Sequence, residues 1–225
     1  MTTEMPLSPS PRTTLHRLRE RARTERADLY AVLDAGLICH LGVVVDGAPL
    51  VLPTGYGRIG ETLYLHGSSA NRSLLAAAGH EVCATVTLLD GLVCARSIFN
   101  HSMNYRSAVI IGPARLVTGE PERLGALRAV TEQLAPGQWE YARQPTRKEL
   151  AGTAVLALPL AEASVKVRSG PPHDEPADCE SGAWAGVIPA ALTFGPPQPD
   201  PALSPAIPVP GHIAALARRA YKVEG

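Results

Sequence analysis

Between Gly36 and Arg168 the chain is divided into short apolar β-type runs by turn residues, and this punctuation limits the possible folds more than any other feature. Asp46-Gly47 and Asp90-Gly91 each separate two apolar runs, and both dipeptides favour tight hairpin turns because glycine tolerates positive φ. Neighbouring strands are therefore expected to be antiparallel. The runs predict strands over 37–45, 48–54, 62–66, 82–88, 92–99, 105–117, 153–158 and 164–168. Helices are predicted over 26–35, stopped by Gly36, over 71–78, and over 121–134, where Leu124, Leu127, Val130 and Leu134 share a face. Thr146 and Glu149 have capping-box spacing and open a further short helix. Many strands with few helices give a mainly β fold, a closed or partly closed barrel rather than a doubly wound sheet.

The 225 residues suit one domain, and Lys plus Arg balances Asp plus Glu at 21 each. With no global field, nucleic acid is not an expected partner, and no run of about 18 apolar residues predicts a membrane span. Cys39, Cys83, Cys94 and Cys179 are widely spaced without a CxxC pair, and three of them lie in apolar runs. That pattern favours buried free thiols in a reducing cytoplasm over a zinc site or a disulfide framework. Residues 1–25 read as a disordered or helical leader, with three prolines before residue 12 and six arginines between Arg12 and Arg26 interleaved with Glu20 and Glu25. The body spans 26–170. Twelve of the 21 prolines follow residue 158, so 171–225 reads as a proline-rich wrap of the same domain, ending in a helical segment from His212 to Tyr221.

Three apolar runs end in small polar clusters: Leu52-Pro53-Thr54, then His66 to Arg72, then Asn104-Tyr105-Arg106-Ser107. The second places hydroxyls, an arginine and free N–H groups at the expected start of a helix, where an anion is favoured. It reads as a phosphate cradle or, alternatively, as a capped strand-to-helix turn without a ligand. Gly55-Tyr56-Gly57-Arg58-Ile59-Gly60 matches a dinucleotide-binding fingerprint, but Thr62 to His66 alternate like a strand where that motif needs a helix, so these glycines turn a hairpin instead. Trp184 is either a core or interface anchor or a platform beside a ligand. His66 is either a hydrogen-bonded structural residue or a ligand to metal or haem, with His40 and His101 as possible neighbours in space.

Val51-Leu52-Pro53-Thr54, Leu63 to Ser68, Leu89 to Val93, His101 to Ser107 and Lys166 to Pro172 together resemble the pyridoxamine 5′-phosphate oxidase-like superfamily, and within it the flavin-nucleotide-binding branch related to nitroimidazole reductases. Trp184 to Pro189 fits the same branch, and the similarity runs from about residue 26 to 210. The resemblance implies a split β-barrel homodimer with FMN at the subunit interface. It places Leu52, Pro53 and Thr54 beneath the isoalloxazine edge, and the stretch from Leu65 and His66 through Ser68, Ser69, Asn71 and Arg72 around the ribityl phosphate. Ala70-Asn71-Arg72 leaves one cation where the family's oxidases carry two, a charge that Arg106, or Lys166 with Arg168, could supply.

No GxSxG, HExxH or paired-carboxylate signature is present, so no catalytic side chain is assigned and a bound flavin would carry the chemistry. The expected function is an FMN-dependent oxidoreductase using a small-molecule electron donor and acceptor. A flavin carrier or sensor without turnover, or a haem-binding split barrel, are the alternatives.

Overall fold

A computed structural model describes residues 6–7 and 10–217. After a single 3-10 turn at Arg19–Arg21 come β1 (Ala22–Arg23), α1 (Arg26–Ala35), β2 (Ile38–Val45), β3 (Ala48–Ile59), β4 (Thr62–Ser68), α2 (Arg72–Ala77), β5 (Glu81–Cys94), β6 (Ser102–Pro113) and β7 (Arg115–Leu116). The chain continues through α3 (Glu120–Leu134), α4 (Gln138–Tyr141), α5 (Arg147–Ala151), β8 (Thr153–Pro159), β9 (Glu162–Arg168), α6 (Pro176–Cys179), β10 (Gly186–Pro189) and α7 (Gly211–Ala217). The strands form one antiparallel sheet in the order β1-β9-β6-β5-β2-β3-β4-β8-β7, with β10 added to β5.

The sheet curls into a split barrel because alternate residues of β2, β4, β5, β6, β8 and β9 all point into one core. Leu41, Leu63, Leu65, Val86, Ile110, Leu156, Leu158 and Val165 are buried there, and α1 plugs it with Leu29, Val32 and Leu33. A smaller cluster of Tyr64, Val117, Ala126, Val155 and Ala157 forms where α3 lies across the outside of β3, β4 and β8. Cys39 is buried in the main core, which pushes its thiol up to about 12. Cys83 and Cys94 are half-buried and Cys179 is exposed.

Asp46 (φ 52°) and Gly47 (φ 78°) make the expected two-residue hairpin turn between Val45 and Ala48. Asp90-Gly91 does not make one. β5 runs unbroken through it, and the register against β6 slips between Leu89 and Gly91, so the extra residue is a β-bulge. Glycine is needed there because β10 crosses so closely that a Cβ on Gly91 would lie 2.9 Å from the Ile188 carbonyl oxygen. The expected strand 92–99 therefore ends at Cys94 as the tail of β5, and the expected 105–117 is β6 plus the short β7. β3 extends past Thr54 to Ile59, so the turn falls at Gly60 (φ 54°) and Glu61, while Gly57 inside the strand lets α3 approach.

Apart from the 3-10 turn at Arg19–Arg21, residues 10–25 are not helical, and they are tied to the body. Arg12 forks between Glu81 and Glu162, Ser10 also donates to Glu162, Thr13 is buried, and β1 pairs with β9. Leu7 is buried in the main core. Of the six arginines in that stretch, Arg12 supplies the clamp to two carboxylates. Expectations for residues 1–5, 8–9 and 218–225 lie outside the described residues. Asn71 caps α2 and Thr146 caps α5 with the full capping box. On α3 Val130 of the predicted face is buried and Leu127 packs against the smaller cluster, whereas Leu134 is exposed and Ala126, outside that row, is the other buried residue. Trp184 is 67% exposed, which excludes the core-anchor role within one chain. Among the described residues no helix is long and apolar enough to cross a membrane.

Candidate functional site

The face of β3 that bears Gly57 is covered by α3, whereas on the same face Pro53 and Val51 are exposed. β2 continues this open surface, since His40 opposes Pro53 and Gly42 opposes Val51. Ile38 (56% exposed), Val44 (62%) and Val51 (62%) make it apolar, and Thr85, opposite His40 on β5, shares it. On β4, His66 and Ser68 alternate with Tyr64 and so share the outward direction. Pro53, His66 and Ser68 thus stand around one surface. Leu52 and Thr54 point the other way, opposite the buried Leu41 and Cys39, and Leu65 is in the core. Of the strand residues expected beneath a flavin ring, the structure therefore brings Pro53 to this face and turns Leu52 and Thr54 inward; Leu65, expected near the phosphate, is also turned inward.

His66 is half-buried, and its Nδ1 is a buried nitrogen without a hydrogen-bond partner among the described residues. Burial lowers its pKa below the ordinary 6.5, so the ring is neutral at pH 7. An unfolded chain binds a proton there that the folded chain refuses, so this contribution to stability is complete above about pH 6.5 and is lost as pH falls toward the depressed folded value. Thermal melts of the ligand-free protein at about pH 5 and pH 8 should show a destabilisation in acid that His66→Gln reduces. An unchanged slope in the variant would show that His66 is not its source.

Beyond Ser68 lies the expected cradle. Asn71 Oδ1 accepts from Leu74 N–H at 3.0 Å, Ser68 Oγ accepts from Ala70 N–H at 3.2 Å, and Ser69 N–H donates to the Gly152 carbonyl at 2.8 Å. The segment is thus a capped turn. Among the described residues the backbone N–H groups of Arg72 and Ser73, in the first turn of α2, meet no acceptor, and the Ser68 and Ser69 hydroxyls remain able to donate. Arg72 is 82% exposed and pairs with Asp46 at 2.9 Å, an exposed contact of the kind that is weak and readily exchanged for an anion.

The supplementary cations do not converge on this cradle within one chain, because β6 and β9 stand four and five strands from β4. Arg106 points inward and is held by Asp90 through two contacts, 2.9 and 2.8 Å, which raise its pKa. The pair borders a separate pocket of about 340 Å³ lined by Leu37, Thr87, Leu89 and Leu192. Arg168 faces outward and is spent on Asn104, Gly170 and Pro171, fixing the turn after β9. Lys166, opposite Ser107 on the same outer face, has no partner among the described residues. His101 sits at the far end of the β5–β6 hairpin, so only His40 of the two other histidines shares the face of His66. The sequence reading offered His40 as a neighbour of His66 but left Val51 out of the site; the strand alternation that puts Val51 on the side of Pro53 was the available signal.

A split antiparallel barrel with a plugging helix, an open outer face at β2–β4 and a polar turn ahead of α2 defines a class, and the sequence places the chain in it. The chain belongs to the pyridoxamine 5′-phosphate oxidase family, whose model matches residues 25–167. Among solved structures it is similar to the flavocytochrome Anf3 of Azotobacter vinelandii, at 43% identity over 94% of this chain and 99% of that one, with a TM-score of 0.89. It is similar also to an FAD and haem binding protein of Mycobacterium smegmatis, at 37% identity over 87% and 97% of the two chains, with a TM-score of 0.83. A 5-nitroimidazole antibiotic resistance protein of Bacteroides thetaiotaomicron shares the fold at 20% identity, over 65% of this chain and 86% of that one, with a TM-score of 0.56. None of the curated proteins matches the chain.

Proposed function

We propose that this chain is a homodimeric redox protein that binds a flavin nucleotide on the outer face of β3 and β4 and carries haem as a second redox group. The observation that carries the reading is the open apolar surface of Val51, Pro53 and His66, ending in the exposed donor cluster of Ser68, Ser69 and Arg72. A flat ring system and its phosphate need those two surfaces side by side. FAD is preferred over the FMN that the sequence resemblance implied, for two reasons. Every residue from Ser68 to Arg72 is exposed, so the cradle leaves room for a nucleotide to continue past the phosphate. The similar Mycobacterium smegmatis protein is described as binding FAD and haem.

The flavin and the haem, when bound, would supply hydride and single-electron chemistry. The protein's part is to position them. Arg72 and the N–H groups of Arg72 and Ser73 would hold phosphate oxygens, and Val51 and Pro53 would exclude water from the ring face. His40 and the neutral His66 are the two imidazoles of this surface that could meet a haem iron. The outer face is also the surface a second copy would cover, and that copy could bring Lys166 to the cradle, which its own chain cannot.

Titration of the purified protein with FAD, FMN and riboflavin, followed by fluorescence quenching, tests the reading. Arg72→Ala should weaken either nucleotide about ten- to a hundredfold, from roughly 1.5–3 kcal/mol of charge-assisted contact, while riboflavin changes little. Added haemin should develop a Soret band that His40→Ala or His66→Ala diminishes. No flavin bound at micromolar concentration would overturn the assignment. Anaerobic bleaching of bound flavin by NADH, NADPH or a reduced deazaflavin, with recovery on adding a quinone or nitroaromatic, separates an oxidoreductase from a carrier or sensor.

A further inference from the structure

One edge of β5 is only partly covered. β6 pairs along the other edge from Glu81 to Val93, whereas on this one β2 reaches only from Cys83 to Thr85 and β10 only from Gly91 to Cys94. The end of α1, at Ala35 and Leu37, and the segment after β10, at Ala190 to Leu192, stand around the interval and leave the pocket of about 340 Å³. That volume lies in the range of small-molecule sites, about 300–1,000 Å³. Thr87 and Leu89, which alternate with Thr85 and share its outward side, line it together with Arg106 from the inward side. The cavity therefore passes through the split of the barrel, with its outer mouth beside the start of β2.

Two features of its wall call for the same chemistry. Arg106 Nη2 and Nε donate to Asp90 Oδ1 and Oδ2 at 2.8 and 2.9 Å, and both side chains reach the pocket surface. With two of the five guanidinium N–H groups used, three have no acceptor among the described residues, and each Asp90 oxygen keeps a further lone pair. The pair thus presents donors and acceptors side by side with no net charge. The second feature is the β5 edge itself, where the Asp90 carbonyl accepts from Ala190 N–H at 3.0 Å but no strand is paired from Val86 to Leu89 on that side. Such an edge also offers N–H and C=O groups in alternation. Leu37, Leu88 and Leu192 supply apolar walls.

We propose that this pocket binds a neutral ring compound bearing a carboxamide or lactam, whose carbonyl accepts from Arg106 and whose N–H donates to Asp90 or to the β5 edge. An anion is disfavoured, because the Asp90 carboxylate already neutralises the arginine and, in a poorly solvated wall, repels a second negative charge. A purely apolar occupant would cover the unused N–H groups of Arg106 without giving them acceptors. The amide satisfies both polar partners and leaves its ring to the leucines. The site is independent of the flavin reading, since Arg106, Asp90 and the edge of β5 stand apart from the outer face of β3 and β4.

Nicotinamide, nicotinate and 3-acetylpyridine have nearly the same shape and separate the chemistries, as amide, carboxylate and lone carbonyl. In saturation-transfer NMR titrations of the full-length protein, nicotinamide should bind in the millimolar range, and 3-acetylpyridine, which lacks the N–H donor, about tenfold more weakly. Nicotinate should be weaker still. Ala191→Trp, at an exposed position on the rim, should fill the pocket and abolish binding while circular dichroism and melting temperature stay unchanged. Arg106→Lys keeps a cation beside Asp90 but removes the planar fork, and should weaken nicotinamide by about tenfold or more. Nicotinate bound as tightly as nicotinamide would make the pocket an anion site and overturn the proposal. Equal binding of 3-acetylpyridine, or nicotinamide retained in full by Ala191→Trp, would do the same. No binding of nicotinamide at high millimolar concentration would refute it outright. The titrations should agree with and without added FAD; nicotinamide displaced by FAD would put the ligand on the outer face and refute the pocket.

Discussion

Gly57→Ala is expected to destabilise the protein by about 3 kcal/mol, the upper end of overpacking costs. The added Cβ would lie 2.4 Å from the Ala129 carbonyl carbon and 2.5 Å from the Val130 nitrogen. Both are backbone atoms in the middle of α3, so no rotamer change relieves the contact and the helix must lift off β3 and β4. Lifting it would also open the cluster of Tyr64, Val117, Ala126 and Val155. At this chain length the melting temperature should fall by roughly 6–12 °C. Gly55→Ala is the control, because its Cβ would meet Leu134 at an ordinary 3.6 Å. Equal melting temperatures for the two variants would show that α3 does not depend on the close approach at Gly57.

Val51→Lys should convert the proposed homodimer to a monomer while leaving the barrel folded. Val51 is largely exposed on the outer face, so lysine there costs a single chain little. In a dimer closed over that face the ammonium would be buried without a partner, at a cost of several kcal/mol and at least about a hundredfold in the association constant. Light scattering with circular dichroism reads both quantities. A dimer of unchanged stability would move the subunit contact away from β2 and β3.

The barrel was legible because its signals are local. The apolar runs of β2, β4 and β8, the Asp46-Gly47 turn and the Thr146 capping box each act over a few residues, and each appears where the sequence placed it. Asp90-Gly91 carried the same local signature as Asp46-Gly47 and became a bulge, because what decides there is the crossing of β10 from nearly a hundred residues later in the chain. No short-range pattern contains that contact. Site residues divided in the same way. The cluster from Ser68 to Arg72 was readable as a strand-to-helix turn, yet whether Leu52 or Pro53 faces outward depends on the register with β2. Arg106 looked like an available cation until the structure set it against Asp90, sixteen residues away.

The clamp of Arg12 on Glu81 and Glu162 bears on where the autonomous folding unit begins. The stretch recognised as the family's common part starts at residue 25, but Leu7 lies in the core and β1 closes the free edge of β9. A fragment cut to the shared stretch would expose the hydrogen-bonding groups of Val165 and Lys166 as an open strand edge, the kind of surface that recruits other strands indiscriminately. The region common to the family and the region able to fold by itself are therefore different lengths of chain, and preparations trimmed to the former would be prone to aggregate through β9.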